Sequence, residues 1–331
     1  MFQALHRIGA HRVLLASTAG LVVLGLLAWW LWPREEPPTG TISVSTGSSS
    51  GVYQDYGKRL RNAVSKDMPG LKVELKTSDG SQQNVARVAT GQADFAIAAA
   101  DAVETYRSVD PKGFERLRGL TRLYDDYVQI VVPHDSTIER IQDLKGKRVG
   151  VGPKDSGVRL IAQRVLRASG LDLDKDIKPE NDTIGTAPKR LREGKINAFF
   201  WSGGLPTQGL VDLAEAYDFR FIPISSRTVA DLHAQGEAYR YYRSSVMPAD
   251  AYPSVQNGRP VQTLTVANLL ITREDLDPRL TEWLTRTVIN SRDNIGSHVH
   301  AAQLVDLRTA IYTNPLPLHE GARRYYRSVK P

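Results

Sequence analysis

T-I-S-V-S-T-G-S-S-S-G-V-Y-Q-D-Y-G-K-R-L, residues Thr41–Leu60, combines a strand pattern, a polar loop and a helix pattern. Thr41–Thr46 alternates β-branched and small residues, which is typical of a strand. Gly47–Gly51 holds only glycine and serine, and from Val52 apolar residues recur four positions apart, as on a helix. Such a loop places backbone N–H groups and hydroxyls at a positive helix end, which suits a carboxylate or phosphate. An ordinary strand-to-helix turn with a polar cap is the alternative interpretation.

Sequence motifs of several common nucleotide-binding, catalytic and metal sites are missing from this chain. The loop is not followed by Gly-Lys-Ser/Thr and contains no G-x-G-x-x-G, so neither common nucleotide-binding loop is indicated. The chain has no cysteine, which removes disulfides and thiolate chemistry, and it has no H-E-x-x-H motif. His298 and His300 lack the spacing of metal ligands on a helix. We therefore predict no catalytic residues, no cofactor and no metal site.

The net charge of +7 is spread over both signs, without a basic run, so we expect no nucleic-acid partner. The N-terminus carries a clearer signal. Val13–Trp32 holds no charged side chain and is long enough to cross a bilayer as a helix. Residues 1–12 are basic, so we predict a cytoplasmic N-terminus, a transmembrane anchor at 13–32 and a Pro-rich linker at 33–40. A cleaved signal peptide is the competing interpretation, but the run ends in tryptophans and Pro33 rather than a small-x-small site.

After the linker, strand and helix patterns alternate, which predicts an α/β protein with a largely parallel sheet. Four strand-to-helix transitions have similar Gly, Ser and Thr chemistry. They are Gly47–Gly51, Ser78–Ser81, Pro153–Gly157 and Ser202–Thr207. Because ligands of open α/β sheets bind outside the carboxyl ends of the strands, four such loops suggest two lobes that face one cleft.

Several segments together resemble a known family. They are T-G-S-S-S-G-V-Y (Thr46–Tyr53), K-T-S-D-G-S-Q-Q-N (Lys76–Asn84), G-Q-A-D-F-A-I (Gly91–Ile97), D-L-K-G-K-R-V-G-V-G (Asp143–Gly152), D-S-G-V (Asp155–Val158), F-F-W-S-G-G-L-P-T (Phe199–Thr207) and P-L-H-E-G-A-R-R-Y-Y (Pro317–Tyr326). In this order they resemble the TAXI-type solute-binding proteins, the extracytoplasmic receptors of one class of TRAP transporters. The chain departs from the family in having Ser50-Gly51 where a Gly-Gly pair is usual, and in its apparent anchor.

The resemblance implies a two-lobed periplasmic-binding-protein fold, here with an N-terminal transmembrane helix. Lobe one would comprise residues 41–133 and 246–331, and lobe two residues 134–245. The implied ligand is a glutamate-like amino acid or dicarboxylate, and the implied partner is a TRAP-type permease. The protein would lie at the inner (cytoplasmic) membrane, with its body in the periplasm or outside the cell. A sensing or interaction module that signals to another membrane partner is the alternative.

The candidate ligand-binding residues follow from the four loops and from the resemblance. They are Gly47, Ser48, Ser49, Gly51, Tyr53, Ser81, Asp101, Ser156, Gly157, Arg159, Ser202, Gly203, Gly204, Pro206 and Thr207. Ser81 is expected to be the N-cap of its helix, and Pro206 suits the first position of the helix that follows. Tyr53 could form a wall of the cleft or could simply pack in the core.

Two charged candidates have specific proposed roles. Asp101 ends a predicted strand and could accept a ligand ammonium, or it could be a helix N-cap. Arg159 lies in the first turn of a predicted helix, where its charge opposes the helix dipole. This unfavourable placement suggests bidentate carboxylate binding, with a solvated surface arginine as the alternative.

Overall fold

A mixed sheet runs through the protein in the computed structural model, which describes residues 36–297 and 307–329. The elements below belong to the unit Pro38–Pro331. The strands are β1 (Gly40–Ser45), β2 (Leu71–Lys76), β3 (Phe95–Ala99), β4 (Leu117–Pro133), β5 (Arg148–Gly150), β6 (Lys178–Glu180), β7 (Ala198–Gly203), β8 (Phe219–Ile222), β9 (Tyr242–Met247) and β10 (Val261–Arg273).

Helices lie between most of the strands, and the last four follow β10. They are α1 (Val52–Asp67), α2 (Ser81–Ala89), α3 (Ala100–Val109), α4 (Pro111–Glu115), α5 (Gly157–Ala168), α6 (Ala187–Arg192), α7 (Gln208–Ala216), α8 (Ser226–His233), α9 (Pro253–Gln256), α10 (Pro278–Asn290), α11 (Arg292–Gly296), α12 (Leu307–Ala310) and α13 (Glu320–Val329). Short 3-10 turns occur at Ile141–Leu144 and Glu237–Tyr239.

The strand order is β2-β1-β3-β10-β4-β7-β5-β6, with β8 also paired to β4 and β9 to β10. Strand pairs are parallel at the two ends of this order and antiparallel in the middle. The prediction of a largely parallel sheet was therefore wrong for its centre. The reason is that β4 and β10, of 17 and 13 residues, lie side by side and run against their other neighbours.

The two long strands join two halves of the fold. The first half comprises β1–β3 with α1–α4, and it pairs with the C-terminal part of β10. The second half comprises β5–β8 with α5–α8, and it pairs with the C-terminal part of β4. Lobe boundaries at residues 133 and 246 stay a prediction.

Each half has its own apolar core. In the first, Tyr56 and Leu60 of α1 pack in one cluster with Tyr325 and Tyr326 of α13. In the second, Ile161 and Val165 lie on the buried face of α5. The amphipathic patterns thus place one face of each helix against the sheet, as their spacing predicts. This packing fixes where the helix N-termini point.

Two predictions concern residues that the structure does not describe. The anchor at Val13–Trp32 and the pair His298 and His300 lie outside the described residues. Within residues 36–297 and 307–329, no helix is both long and apolar enough to cross a membrane.

Candidate functional site

A small cavity of about 70 Å³ lies where loops from both halves meet. From the first half, the cavity is lined by the loop after β1 and the loop before α2. From the second half, it is lined by the loop after β5 and by the C-terminal end of β7. Nine of the residues predicted from the sequence line this cavity: Gly47, Ser48, Gly51, Tyr53, Ser81, Ser156, Gly157, Ser202 and Gly203. Residues distant in sequence are thus brought together by the carboxyl ends of neighbouring strands.

Three helices begin at this cavity. The N-caps of α1 and α2 are Gly51 and Gly80, and no side chain caps either helix. At α5 the N-cap is Ser156, whose hydroxyl accepts a hydrogen bond from the backbone N–H of Arg159 over 3.0 Å. The N-terminus of a helix carries a partial positive charge and N–H groups that lack helical partners. The cavity therefore presents three positive helix ends to whatever enters it.

A chain of hydrogen bonds fixes the wall formed by Tyr53. The backbone N–H of Ala99 donates to the Ser81 hydroxyl over 3.1 Å, and the hydroxyls of Ser81 and Tyr53 are 2.9 Å apart. Tyr53 in turn donates to Oδ1 of Asn268 over 2.5 Å. Burial raises the pKa of Tyr53 well above its usual value, so its hydroxyl stays protonated. The expected role of Ser81 as N-cap was wrong, because Gly80 is the N-cap and the Ser81 hydroxyl is held in this chain.

Asp126 is a cavity residue that the sequence analysis missed. It lies on β4, is 3% exposed and accepts a long hydrogen bond of 3.4 Å from the Ser202 hydroxyl. Among the described residues its carboxylate forms no ion pair, and Oδ1 has no hydrogen-bond partner. Burial raises the pKa of Asp126 to about 7, and nearby Asn268 and Ser202 offset this only in part.

Asn268 lies beside this carboxyl group at an irregularity in the sheet. The register of β10 against β4 shifts between Ala267 and Leu269, on either side of Asn268. Such bulges redirect a side chain and recur next to functional sites. Asn268 is fully buried, and its Nδ2 has no hydrogen-bond partner among the described residues. The only hints in the sequence were the acidic pair Asp125-Asp126 and Asn268, each inside an apolar strand.

The remaining loop candidates line a larger neighbouring groove of about 770 Å³. They are Ser49, Gly204, Pro206 and Thr207, and the groove shares Gly51 with the cavity. Thr207 is engaged, since its hydroxyl accepts from the Trp201 indole over 2.9 Å and donates to the Gly204 carbonyl over 2.8 Å. Thr207 is also the N-cap of α7. Pro206 therefore precedes the helix, and the expectation that it occupies the first helical position was wrong.

Neither charged candidate lines the cavity. Asp101 lies in the first turn of α3 and is fully buried, with Oδ2 accepting from Tyr242 over 2.7 Å and from Arg164 over 3.5 Å. Arg159 donates to Oδ1 of Asn181 over 3.0 Å and lies 3.6 Å from Asp174. Both side chains have partners within the protein, so we leave them out of the proposed site.

The two halves touch at the rim of the cavity. The Gln82 side chain donates to the Ser156 carbonyl over 2.9 Å, and the backbone N–H of Gln83 donates to the Asp155 carbonyl over 3.2 Å. Gly80 has φ +131°, and a Cβ there would lie 3.4 Å from the backbone nitrogen of Gly157. Glycine permits this backbone conformation and the close approach. The structure thus has the first turn of α2 in contact with the loop before α5.

Comparison with known proteins agrees with this architecture. The model of the NMT1-like family matches residues 44–329. The chain belongs to the NMT1-like family. This match covers every strand from β2 onward and all four loops found in the sequence.

Several solved structures of low sequence identity are similar to this chain. A putative L-cystine ABC transporter structure from Listeria monocytogenes has a TM-score of 0.50 and 14% identity, covering 81% of this NMT1-like chain and 99% of its own. A protein from Bordetella bronchiseptica RB50 has a TM-score of 0.50 and 17% identity, covering 88% and 90%. The periplasmic aliphatic sulphonate binding protein SsuA from Escherichia coli has a TM-score of 0.46 and 13% identity, covering 89% and 80%.

At these identities the likeness concerns the fold, which is the α/β periplasmic-binding-protein fold. The prediction of that fold is confirmed. The L-cystine and sulphonate structures are named as transport and binding proteins rather than as enzymes, in agreement with the sequence analysis. The finer resemblance to the TAXI group of TRAP receptors stays a prediction.

Proposed function

We propose that this NMT1-like protein is an extracytoplasmic solute-binding protein that captures a small organic anion between its two halves. The observation that carries the proposal is the convergence of α1, α2 and α5 on one cavity. Three partial positive charges and their N–H groups favour a carboxylate there. A glutamate-like amino acid or a dicarboxylate is the ligand class, consistent with the resemblance to TAXI-type proteins.

The solute would be handed to a membrane partner, for which we propose a TRAP-type permease. The body would lie in the periplasm or outside the cell, held at the inner membrane by the apolar run Val13–Trp32. The same run favours a second candidate function. A receptor that keeps its anchor stays beside one membrane protein, which suits a sensing module that reports ligand binding to that protein.

The test is a thermal-shift screen of carboxylates and amino acids on the full-length chain in mild detergent. A ligand present at 100 times its Kd stabilises the folded state by about 2.7 kcal/mol, which raises the melting temperature by several degrees. Ser48→Trp should block the cavity, while Ser49→Trp places the same side chain in the neighbouring groove. We expect the first variant to lose the shift and the second to keep it.

Two results would count against the proposal. If no carboxylate or amino acid shifts the melting temperature, a carboxylate-binding function is wrong. If Ser49→Trp abolishes a shift that Ser48→Trp retains, the ligand occupies the larger groove and the cavity is not the site.

A further inference from the structure

Asp126 is a buried acidic group without a cationic partner, on the wall of the proposed ligand cavity. The two neighbouring carboxylates, Asp125 and Asp101, each have an arginine partner. Arg122 contacts Asp125 through Nη2, at 2.7 Å from Oδ2, and Arg164 contacts Asp101. Aspartate is rarely fully buried unless it is paired, because moving a carboxylate out of water is costly. Asp126 therefore keeps an acceptor oxygen that the described residues leave unused.

The surroundings of Asp126 are built to hold it in place and leave it open to the cavity. Asn268 has its Oδ1 occupied by Tyr53, and the Ser202 hydroxyl contacts Oδ2 of Asp126. Oδ1 of Asp126 has no hydrogen-bond partner among the described residues. A carboxylate oxygen with free acceptor capacity, on the wall of a cavity that Asp79 and Asp182 also line, is the complement of an ammonium group.

Resting on the function proposed above, we propose that Asp126 accepts the ammonium group of the ligand while the helix N-termini hold its carboxylate. The cavity would then select a zwitterionic solute whose ammonium and carboxylate groups lie close together. A dicarboxylate or sulfonate of similar size would bring a second negative charge towards Asp126. Since the site is buried, that repulsion is poorly screened and would exclude such a ligand.

A protonated Asp126 could instead donate a hydrogen bond to a ligand carboxylate, and this alternative predicts the opposite dependence on pH. The titratable groups around Asp126 include Asp125, Asp101, Tyr53 and Tyr124, and the buried tyrosines have raised pKa values. Asp79 and Asp182 line the same cavity. With the pKa of Asp126 at about 7 in the empty site, an ammonium ligand must displace a proton below that pH. Affinity for the ammonium ligand should fall about tenfold between pH 8 and pH 6. A ligand held by protonated Asp126 would bind more tightly at pH 6.

The experiment uses matched pairs of probes that differ only in the amino group. The pairs are L-alanine and propionate, L-aspartate and succinate, and L-glutamate and glutarate, titrated calorimetrically into the full-length protein in detergent at pH 6 and pH 8. We expect the amino acid of at least one pair to bind at least tenfold more tightly than its partner at pH 8. Its affinity should fall at pH 6, and a proton should be released on binding at that pH.

Two variants assign the effect to Asp126. Asp126→Asn removes the charge with little change in size, and we expect it to weaken the amino acid at least tenfold. Asp125→Asn is the matched control, because neighbouring residues on a strand face opposite sides of the sheet. Asp125 is paired with Arg122 and does not line the cavity, so its variant should bind within about twofold of the parent.

The outcomes separate this inference from the function on which it rests. If the deaminated acids bind as tightly as the amino acids, and Asp126→Asn changes neither, the inference is overturned while carboxylate capture stands. Tighter binding of a dicarboxylate at pH 6 than at pH 8 overturns it in favour of a protonated Asp126. If no probe of any pair binds, the inference and the proposed function fall together.

Discussion

Arg164 on α5 and Asp101 on α3 form a buried ion pair, with 3.5 Å between Nη1 and Oδ2. The pair joins the second half of the fold to the first. Tyr242 on β9 completes it by donating to the same Asp101 oxygen and by accepting from Arg164 over 3.0 Å. Arg164 also donates to the Thr105 hydroxyl over 2.7 Å. Burial raises the pKa of Asp101, and the attraction of Arg164 offsets part of that rise.

Removing the cation of this pair should destabilise the fold strongly. Arg164→Met leaves Asp101 buried without a counter-charge, which typically costs about 3–5 kcal/mol. Urea denaturation of the two proteins measures the loss. Arg167→Met is the matched control, since Arg167 lies on the same helix but is exposed, and it should change stability by less than about 0.5 kcal/mol. A loss below about 1 kcal/mol for Arg164→Met would show that the pair is structurally dispensable.

Asp126 should make the stability of the ligand-free protein depend on pH. Its folded-state pKa of about 7 lies above the unfolded value of about 3.9, so the folded state holds the proton more tightly. The stability that protonation of Asp126 contributes is fully present below about pH 3.9. This contribution is lost as the pH rises through the folded-state pKa of about 7. Replacing the acid with Asn removes this loss. The stability gained by Asp126→Asn should therefore grow by about 2–3 kcal/mol between pH 5 and pH 8.

Urea unfolding of the parent and of Asp126→Asn at both pH values isolates the effect, because other titrating groups are common to the two proteins. The control is Asp125→Asn, whose difference from the parent should vary little with pH. A stability gap for Asp126→Asn that stays constant from pH 5 to pH 8 would mean that Asp126 has an ordinary pKa.

The contact between Gln82 and Ser156 should contribute to holding the two halves together over the ligand. Its hydrogen bond joins the first turn of α2 to the loop before α5. Gln82→Ala removes one such bond, worth about 0.5–1.5 kcal/mol, so ligand affinity should fall roughly three- to tenfold.

If Val131–Pro133 and Ser244–Met247 act as a hinge, small-angle scattering should give a smaller radius of gyration with ligand than without. An unchanged radius at saturation would contradict closure.

The sequence was sufficient to locate the cavity but not to complete it. Gly47, Gly157 and Ser202 could be found because each lies at a strand-to-helix transition, and such transitions meet at one edge of a sheet. Asp126 could not be found in this way because it lies within β4. Which of Asp125 and Asp126 faces the cavity depends on the pairing of β4 with β10 and β7, and strand register follows from the packed sheet rather than from one strand.

The predicted ligand contacts of Asp101 and Arg159 stay predictions, although both side chains have partners within the protein. Asp101 lies two residues after the end of β3, in the first turn of α3, but its side chain meets Arg164 and Tyr242, whose positions come from distant parts of the chain. The sheet centre was also misjudged, since alternating strand and helix patterns carry no information on the long antiparallel pair β4 and β10. Local patterns predicted the elements and the helix ends, whereas the partners of single charged side chains depended on tertiary contacts.

Arg159 provides the last test, because the sequence and the structure predict different results for it. A carboxylate clamp would lose at least tenfold in affinity on Arg159→Ala. In the structure the guanidinium contacts Asn181 and Asp174 and does not line the cavity, so we expect the Kd to change less than about twofold.

Tyr53→Phe is the contrasting variant, since it removes the hydroxyl that joins Ser81 to Asn268 on the cavity wall. Buried partners left unsatisfied cost about 1–3 kcal/mol, so this variant should lose both stability and affinity. Calorimetry with the tightest probe and urea denaturation of the three proteins measure both quantities. A tenfold loss for Arg159→Ala with full affinity for Tyr53→Phe would move the ligand away from this cavity.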